Sequence, residues 1–167
     1  MWKFLKSEKS NNSHPNIIMI LLDQYRNDAR VCHGIFEKLK ERGVLFSETI
    51  TYAPYTLASL HAAFTGMYGA NNGVDGYTKS NHYDKKGCLT LAEYLQGAGY
   101  YTRGYTFSSI LFPSEGFDNL QIVPEEKESD VLLSHQKELE ICFNQERSFF
   151  CYLHYGDIHH EIVREVI

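Results

Sequence analysis

A chain of 167 residues has the length of one domain with a real core, and 43% hydrophobic and 14% aromatic content excludes a disordered protein. The net charge of −5 argues against nucleic-acid binding by the chain as a whole. Cys32, Cys88, Cys142 and Cys151 lie far apart and form no CxxC pair, so reduced, partly buried thiols are expected rather than a zinc or disulfide framework.

Residues 1–14, MWKFLKSEKSNNSH, read as a polar leader without the apolar stretch of a secretory signal. No apolar run is long enough to span a membrane, so the expectation is a soluble, cytoplasmic protein whose folded part runs over 15–167. The run NIIMILLD at 16–23 has the character of a strand buried on both faces that delivers one carboxylate, Asp23, at its C-terminal end. Ile35, Leu39 and Val44 mark a short amphipathic helix closed by Gly43, and 45–52 alternates as an extended segment.

Pro54 then closes a loop. Thr56 stands where an N-cap would stand, and Leu57, Leu60, Ala63 and Phe64 recur at helical spacing until Gly66. Residues 69–86 have loop chemistry, rich in Asn and Gly and long enough to line a site. A helix follows at 89–97, with Leu91, Leu95 and Ala98 on one face, then a strand at 100–107. A turn-rich acidic stretch covers 114–128, a third long helix 130–145, and a strand FFCYLHY 149–155. Helix, glycine, strand in that order is the repeat unit of a parallel sheet.

Two residues of this layout point to chemistry. A hydroxyl at a helix start and a carboxylate at a strand end become neighbours in an open α/β sheet, and such a pair can form a metal-activated nucleophile site. The plain alternatives are a strand-end aspartate and an ordinary capping threonine.

PNIIMILLDQYRND, ERGVLFSE, APYT-x-x-S followed by TGMYG, and LTLAEYLQGAGYYT, in that order, resemble the N-terminal half of the sulfatase family. That family lies within the alkaline-phosphatase-like group of metallohydrolases and phosphotransferases. The resemblance runs from about Pro15 to His160 and implies a three-layer α/β/α sandwich with a mainly parallel sheet, incomplete at the C-terminus.

It implies Asp23 as a metal ligand, with Gln24 where sulfatases usually carry a second aspartate; Gln brings an oxygen dipole but no charge. Thr56 falls at the nucleophile position. There the family's C/S-x-P-x-R pattern is replaced by T-L-A-S-L, which argues against formylglycine chemistry and toward the threonine-bearing phosphotransferase-like members. TFSSILFPSEGFDNL, in place of a GKWH-like run, lacks the usual lysine and histidine and points the same way.

Arg26 and Asp28 read as a structural ion pair, and His61 as a helix histidine rather than a ligand. YLHYGDIHHE resembles Y-x-H-x-x-D-P-H-x-P-Y, which puts His159 against the anionic group of the substrate, leaves His154 as a strand residue and makes His160 a solvent-facing neighbour.

The implied cofactor is a divalent metal (Ca, Mn or Zn), and the implied partners are an anionic ester plus a C-terminal half or a second copy. Relatives place further metal ligands in a second half, which this sequence does not reach by Ile167. The expected function is therefore a metal-dependent hydrolase or transferase of phosphate, or secondly sulfuric, esters whose isolated 167 residues are inactive. The alternative is a non-catalytic relative that binds an anion or a partner chain.

Overall fold

The computed structural model describes residues 14–26, 28 and 34–156. Four strands, β1 (Ile17–Leu22), β2 (Tyr101–Thr106), β3 (Asn119–Ile122) and β4 (Phe149–Tyr155), form one parallel sheet in the order β1-β4-β2-β3. Five α-helices accompany them among the described residues: α1 (Gly34–Lys40), α2 (Thr56–Thr65), the single turn α3 (Gly69–Asn72), α4 (Leu91–Gly97) and α5 (Val131–Phe143). None of the helices among the described residues is long and apolar enough to cross a membrane.

The three layers follow from the two-residue period of β4. Phe150 and Tyr152 point to one face, where they pack with Leu60 and Phe64 of α2, Ala92 of α4, and Phe112. Phe149, Cys151 and Leu153 point to the other, against Cys142 and Leu139 of α5 and Tyr105 of β2. β4 is thus covered on both sides, and the FFCYLH run is buried throughout for that reason.

β1 differs from the reading above. It is the edge strand of the described sheet, and its residues alternate: Ile17, Met19 and Leu21 pack into the α2 face, while Ile18 and Ile20 are 42% and 57% exposed. Its core on the second face comes from α5, and α5 packs on β2 and β4 rather than on β1. An unbroken aliphatic run cannot reveal which of its two faces is uncovered.

Helix boundaries follow their capping chemistry. Thr90 and Glu93 form a reciprocal capping box at the start of α4, Thr90 Oγ1 accepting from Glu93 N (3.0 Å) and Glu93 Oε2 from Thr90 N (2.8 Å). Asp130 caps α5 by accepting from Leu133 N at 2.9 Å. Gly66, at φ 67°, ends α2 in the left-handed conformation that glycine adopts without strain.

Other expectations shift. The buried face of α2 is Leu57, Ala58, Leu60, His61 and Phe64, with Ala63 turned outward. Ile35 and Leu39 of α1 stay exposed, and 45–52 is irregular, with a turn at 47–48, instead of an alternating extended segment. Strand β3 arises inside the stretch read as turns. It is short and largely exposed, and bare Gly104 lets it dock: a Cβ there would meet Leu120 Cδ1 at 2.8 Å and Phe117 Cε1 at 3.0 Å. Cys88, Cys142 and Cys151 are free and buried; Cys32 lies outside the described residues.

Candidate active site

The apolar face of the sheet that carries α2 ends in a polar row. Along β1 the residues on that face are Ile17, Met19 and Leu21, and the next step places Asp23 beyond the strand. Asp23 N donates to Tyr155 O at 3.0 Å, so the ladder to β4 continues through it and fixes its direction. Along β4 the sequence on the same face is Phe150, Tyr152, His154, and register sets Leu21 opposite His154. Register also sets Tyr105 opposite Leu153, so Thr106 of β2 follows beside His154, and the two side chains meet at 3.1 Å. Asp23, His154 and Thr106 therefore line up at the carboxyl ends of three neighbouring parallel strands, where open α/β sheets bind their ligands.

α2 arrives above this row. Its N-cap is Tyr55 in extended conformation (φ −144°, ψ 151°), and Tyr55 makes no side-chain cap. Thr56 is the first helical residue and not the cap. Its hydroxyl, instead of closing the helix end, stands 3.2 Å from Asp23 Oδ1 and 3.2 Å from Oδ2. Asp23 is 8% exposed, and the leading turn of a ten-residue helix presents the positive end of its dipole beside it. Gln24 follows at φ 57°, a left-handed conformation costing a non-glycine residue on the order of 1 kcal/mol, which turns the chain away directly after the carboxylate. A groove of about 570 Å³ opens here, lined in part by Asp23, Gln24, Tyr55, Thr56, Tyr77 and Ile110.

His154 is the residue that the sequence reading passed over. It is a strand residue as expected, but its ring is 1% exposed and its Nε2 lies 3.5 Å from Asp23 Oδ2, within ion-pair range though outside hydrogen-bond geometry. The signal was present in the alternation Phe150, Tyr152, His154, and only the register with β1 gives it meaning.

Arg26 and Asp28 form the anticipated ion pair at 2.5 Å, exposed to solvent. His61 is buried in α2 with Nδ1 2.8 Å from Leu57 O and its ring edge-on to Tyr83, and burial lowers its pKa. His159 and His160 lie outside the described residues.

Among the described residues no cluster of three or more His, Cys, Asp or Glu side chains gathers around one point. The oxygen donors present suit a hard cation in kind: a carboxylate and a hydroxyl in contact. A divalent metal fits the chemistry of Asp23 and Thr56, with one charged ligand supplied.

A family model described as Sulfatase matches residues 15–162. A comparison with curated protein sequences finds no match. Among solved structures, BT4656 in complex with its substrate D-glucosamine-2-N,6-O-disulfate superposes with a TM-score of 0.72 at 19% identity, over 87% of this chain and 35% of that one. The phosphonate monoester hydrolase of Agrobacterium radiobacter gives 0.67 at 15% identity, over 85% and 40%. The C-terminal periplasmic domain of EcEptC from Escherichia coli, solved with Zn, gives 0.60 at 14% identity, over 89% and 45%. The chain thus has the fold of alkaline-phosphatase-like enzymes and spans less than half the length of each of these.

Proposed function

The chain belongs to the sulfatase family, and from that premise we propose that it carries the nucleophile of a metal-dependent hydrolase or transferase of phosphate esters, with sulfuric esters the second choice. The observation that carries this reading is the Thr56 hydroxyl, 3.2 Å from both oxygens of Asp23 at the first turn of α2. Asp23 takes the hydroxyl proton into a hydrogen bond and turns a lone pair of Oγ1 toward the groove. The helix end favours the anionic ester there.

In the reaction, Oγ1 passes its proton to Asp23 and forms a bond to phosphorus, the ester P–O bond breaks, and the departing alkoxide takes a proton from solvent while Asp23 returns its own to solvent. Water, or an acceptor hydroxyl in a transferase, then gives its proton to Asp23 and attacks phosphorus, and Thr56 Oγ1 leaves and is reprotonated. Asp23, Thr56 and Gln24 would hold a divalent cation (Ca, Mn or Zn), which when bound would supply Lewis acidity toward the hydroxyl and offset phosphoryl charge. His159 is assigned to the anionic group. Neither a cysteine nor a serine stands at the Thr56 position, which supports a threonine mechanism over formylglycine.

The matched solved chains are about twice as long or longer, which supports a full metal site that needs residues beyond these 167, from a C-terminal half or a second copy. The test is hydrolysis of bis-p-nitrophenyl phosphate by a longer chain carrying the remaining domain. We expect turnover with Mn²⁺ or Zn²⁺, a preference for phosphate over sulfate esters, and loss of activity in Thr56→Ala; full activity in that variant would remove Thr56 from the chemistry.

A second reading, a non-catalytic module that pairs with a partner chain, is favoured by one observation: the open edge of β1 with Ile18 and Ile20 exposed.

A further inference from the structure

We propose that His154 is a positioning residue for Asp23: Thr106 fixes the ring at Nδ1, so that Nε2–H faces the same Asp23 carboxylate that Thr56 contacts. The inference rests on the reading of Asp23 and Thr56 as the reactive pair.

The assignment follows from counting protons. Thr106 Oγ1 has three neighbours within hydrogen-bond reach: His154 Nδ1 at 3.1 Å, Ser108 O at 3.4 Å and Ser108 N at 3.5 Å. Its single proton can go to Nδ1 or to Ser108 O. If it goes to Ser108 O, a neutral His154 must donate from Nδ1 to Thr106, and the bare lone pair of Nε2 faces a carboxylate oxygen 3.5 Å away. Both groups are buried, His154 at 1% and Asp23 at 8% exposure, so little water screens that repulsion.

If the proton goes to Nδ1, the shorter contact, then Nε2 carries hydrogen and the same 3.5 Å contact becomes attractive. Phe107, whose ring centroid lies 4.3 Å from that of His154, and Tyr152 at 5.9 Å limit rotation of the imidazole. Nε2 makes no hydrogen bond among the described residues, and the Asp23 carboxylate, 3.5 Å away, is the acceptor within ion-pair range of it. A carboxylate held by two partners keeps one orientation toward the groove, as outer partners do for ligands in metal sites.

Two measurements on the full 167-residue chain decide the matter. Long-range ¹H–¹⁵N correlation of the metal-free protein reads the tautomer; we expect His154 as Nε2–H with an acceptor-type Nδ1, and a dominant Nδ1–H form would overturn the assignment. Paramagnetic broadening by Mn²⁺ reads affinity at Asp23. His154→Leu should weaken it about tenfold or more, and His154→Gln, whose amide N–H stands near the place of Nε2, should recover most of it.

Equal affinities in the two variants would also defeat the proposal. Thr106→Val, which leaves the histidine in place, guards against unfolding of the Leu variant and should loosen the tautomer preference. Failure of the wider reading looks different: Mn²⁺ would then leave resonances around Asp23 unbroadened in the unmodified chain, and the tautomer alone would decide the role of His154.

Discussion

His135 shows how a single side chain can set the acid behaviour of the molecule. It sits on α5, 1% exposed, edge-on to Tyr105 (4.7 Å) and Tyr155 (4.1 Å), and neither ring nitrogen has a hydrogen bond among the described residues. Burial pushes its pKa down to about 4; Glu128 opposes the shift and His154 adds to it. The folded state therefore keeps His135 neutral where the unfolded chain, with a pKa near 6.5, takes up a proton. More protons on the unfolded chain means stability that falls as pH drops from about 6.5 to about 4 and levels below that, by up to about 3 kcal/mol. His135→Phe keeps the aromatic contacts and removes the titration. We expect a flatter stability curve across that window and about 1 kcal/mol or more gained at pH 7, where two unpaired polar atoms are no longer buried. Urea unfolding at intervals from pH 4 to 7 measures both, and an unchanged slope in the variant would show that other groups govern the acid limb.

Elements were legible where a local signal marks them. Thr90 with Glu93, Asp130 before α5 and Gly66 after α2 are capping chemistry written in the chain, and those helices begin and end within two residues of the predicted positions. The meeting of Asp23 with Thr56 was legible too, since strand ends and helix starts share one side of a parallel sheet. What was not legible needed register or coverage. β3 has four residues, exposed for the most part, and takes shape only against β2. The partial exposure of β1 depends on where α5 lies, and the nearness of His154 to Asp23 depends on β1 and β4 pairing in one register.

The same kind of long-range dependence governs the contact of β2 with α5. Arg103 Nε and Nη2 both donate to Glu138, the latter at 3.1 Å, and both side chains are buried. Glu138→Leu strands a guanidinium in the core and should cost about 3–5 kcal/mol, whereas Arg103→Met with Glu138→Leu should restore most of it. Thermal melts of the two singles and the double give the coupling directly; additive losses would mean that the pair does not act as a unit.

At the scale of the molecule, two observations bear on whether these residues act alone. The chain superposes over 85–89% of itself but only 35–45% of its solved neighbours. Large apolar side chains of β1, α1 and the 44–50 segment, Ile18, Ile20, Ile35, Leu39, Val44, Phe46 and Ile50 among them, are left exposed. Exposed apolar side chains in such number fit the second reading above, in which a further chain or domain covers them.

The site has the matching shortfall. Calcium takes roughly six to eight oxygen ligands and magnesium roughly six. The described residues bring one carboxylate and one hydroxyl into contact at the candidate position, with the uncharged Gln24 amide as the third ligand assigned, and no cluster of three or more acidic, histidine or cysteine ligands. A cation there stays largely hydrated, with a dissociation constant expected on the order of 10⁻³ M or weaker. A threonine hydroxyl beside so loosely held a metal keeps its proton near neutral pH and attacks poorly. We therefore expect the 167-residue chain to show little or no turnover of p-nitrophenyl phosphate, bis-p-nitrophenyl phosphate or p-nitrophenyl sulfate with Ca²⁺, Mn²⁺ or Zn²⁺ present. Robust sulfatase turnover by this chain, untouched by Thr56→Ala, would mean that neither the missing ligands nor the threonine matters to its chemistry.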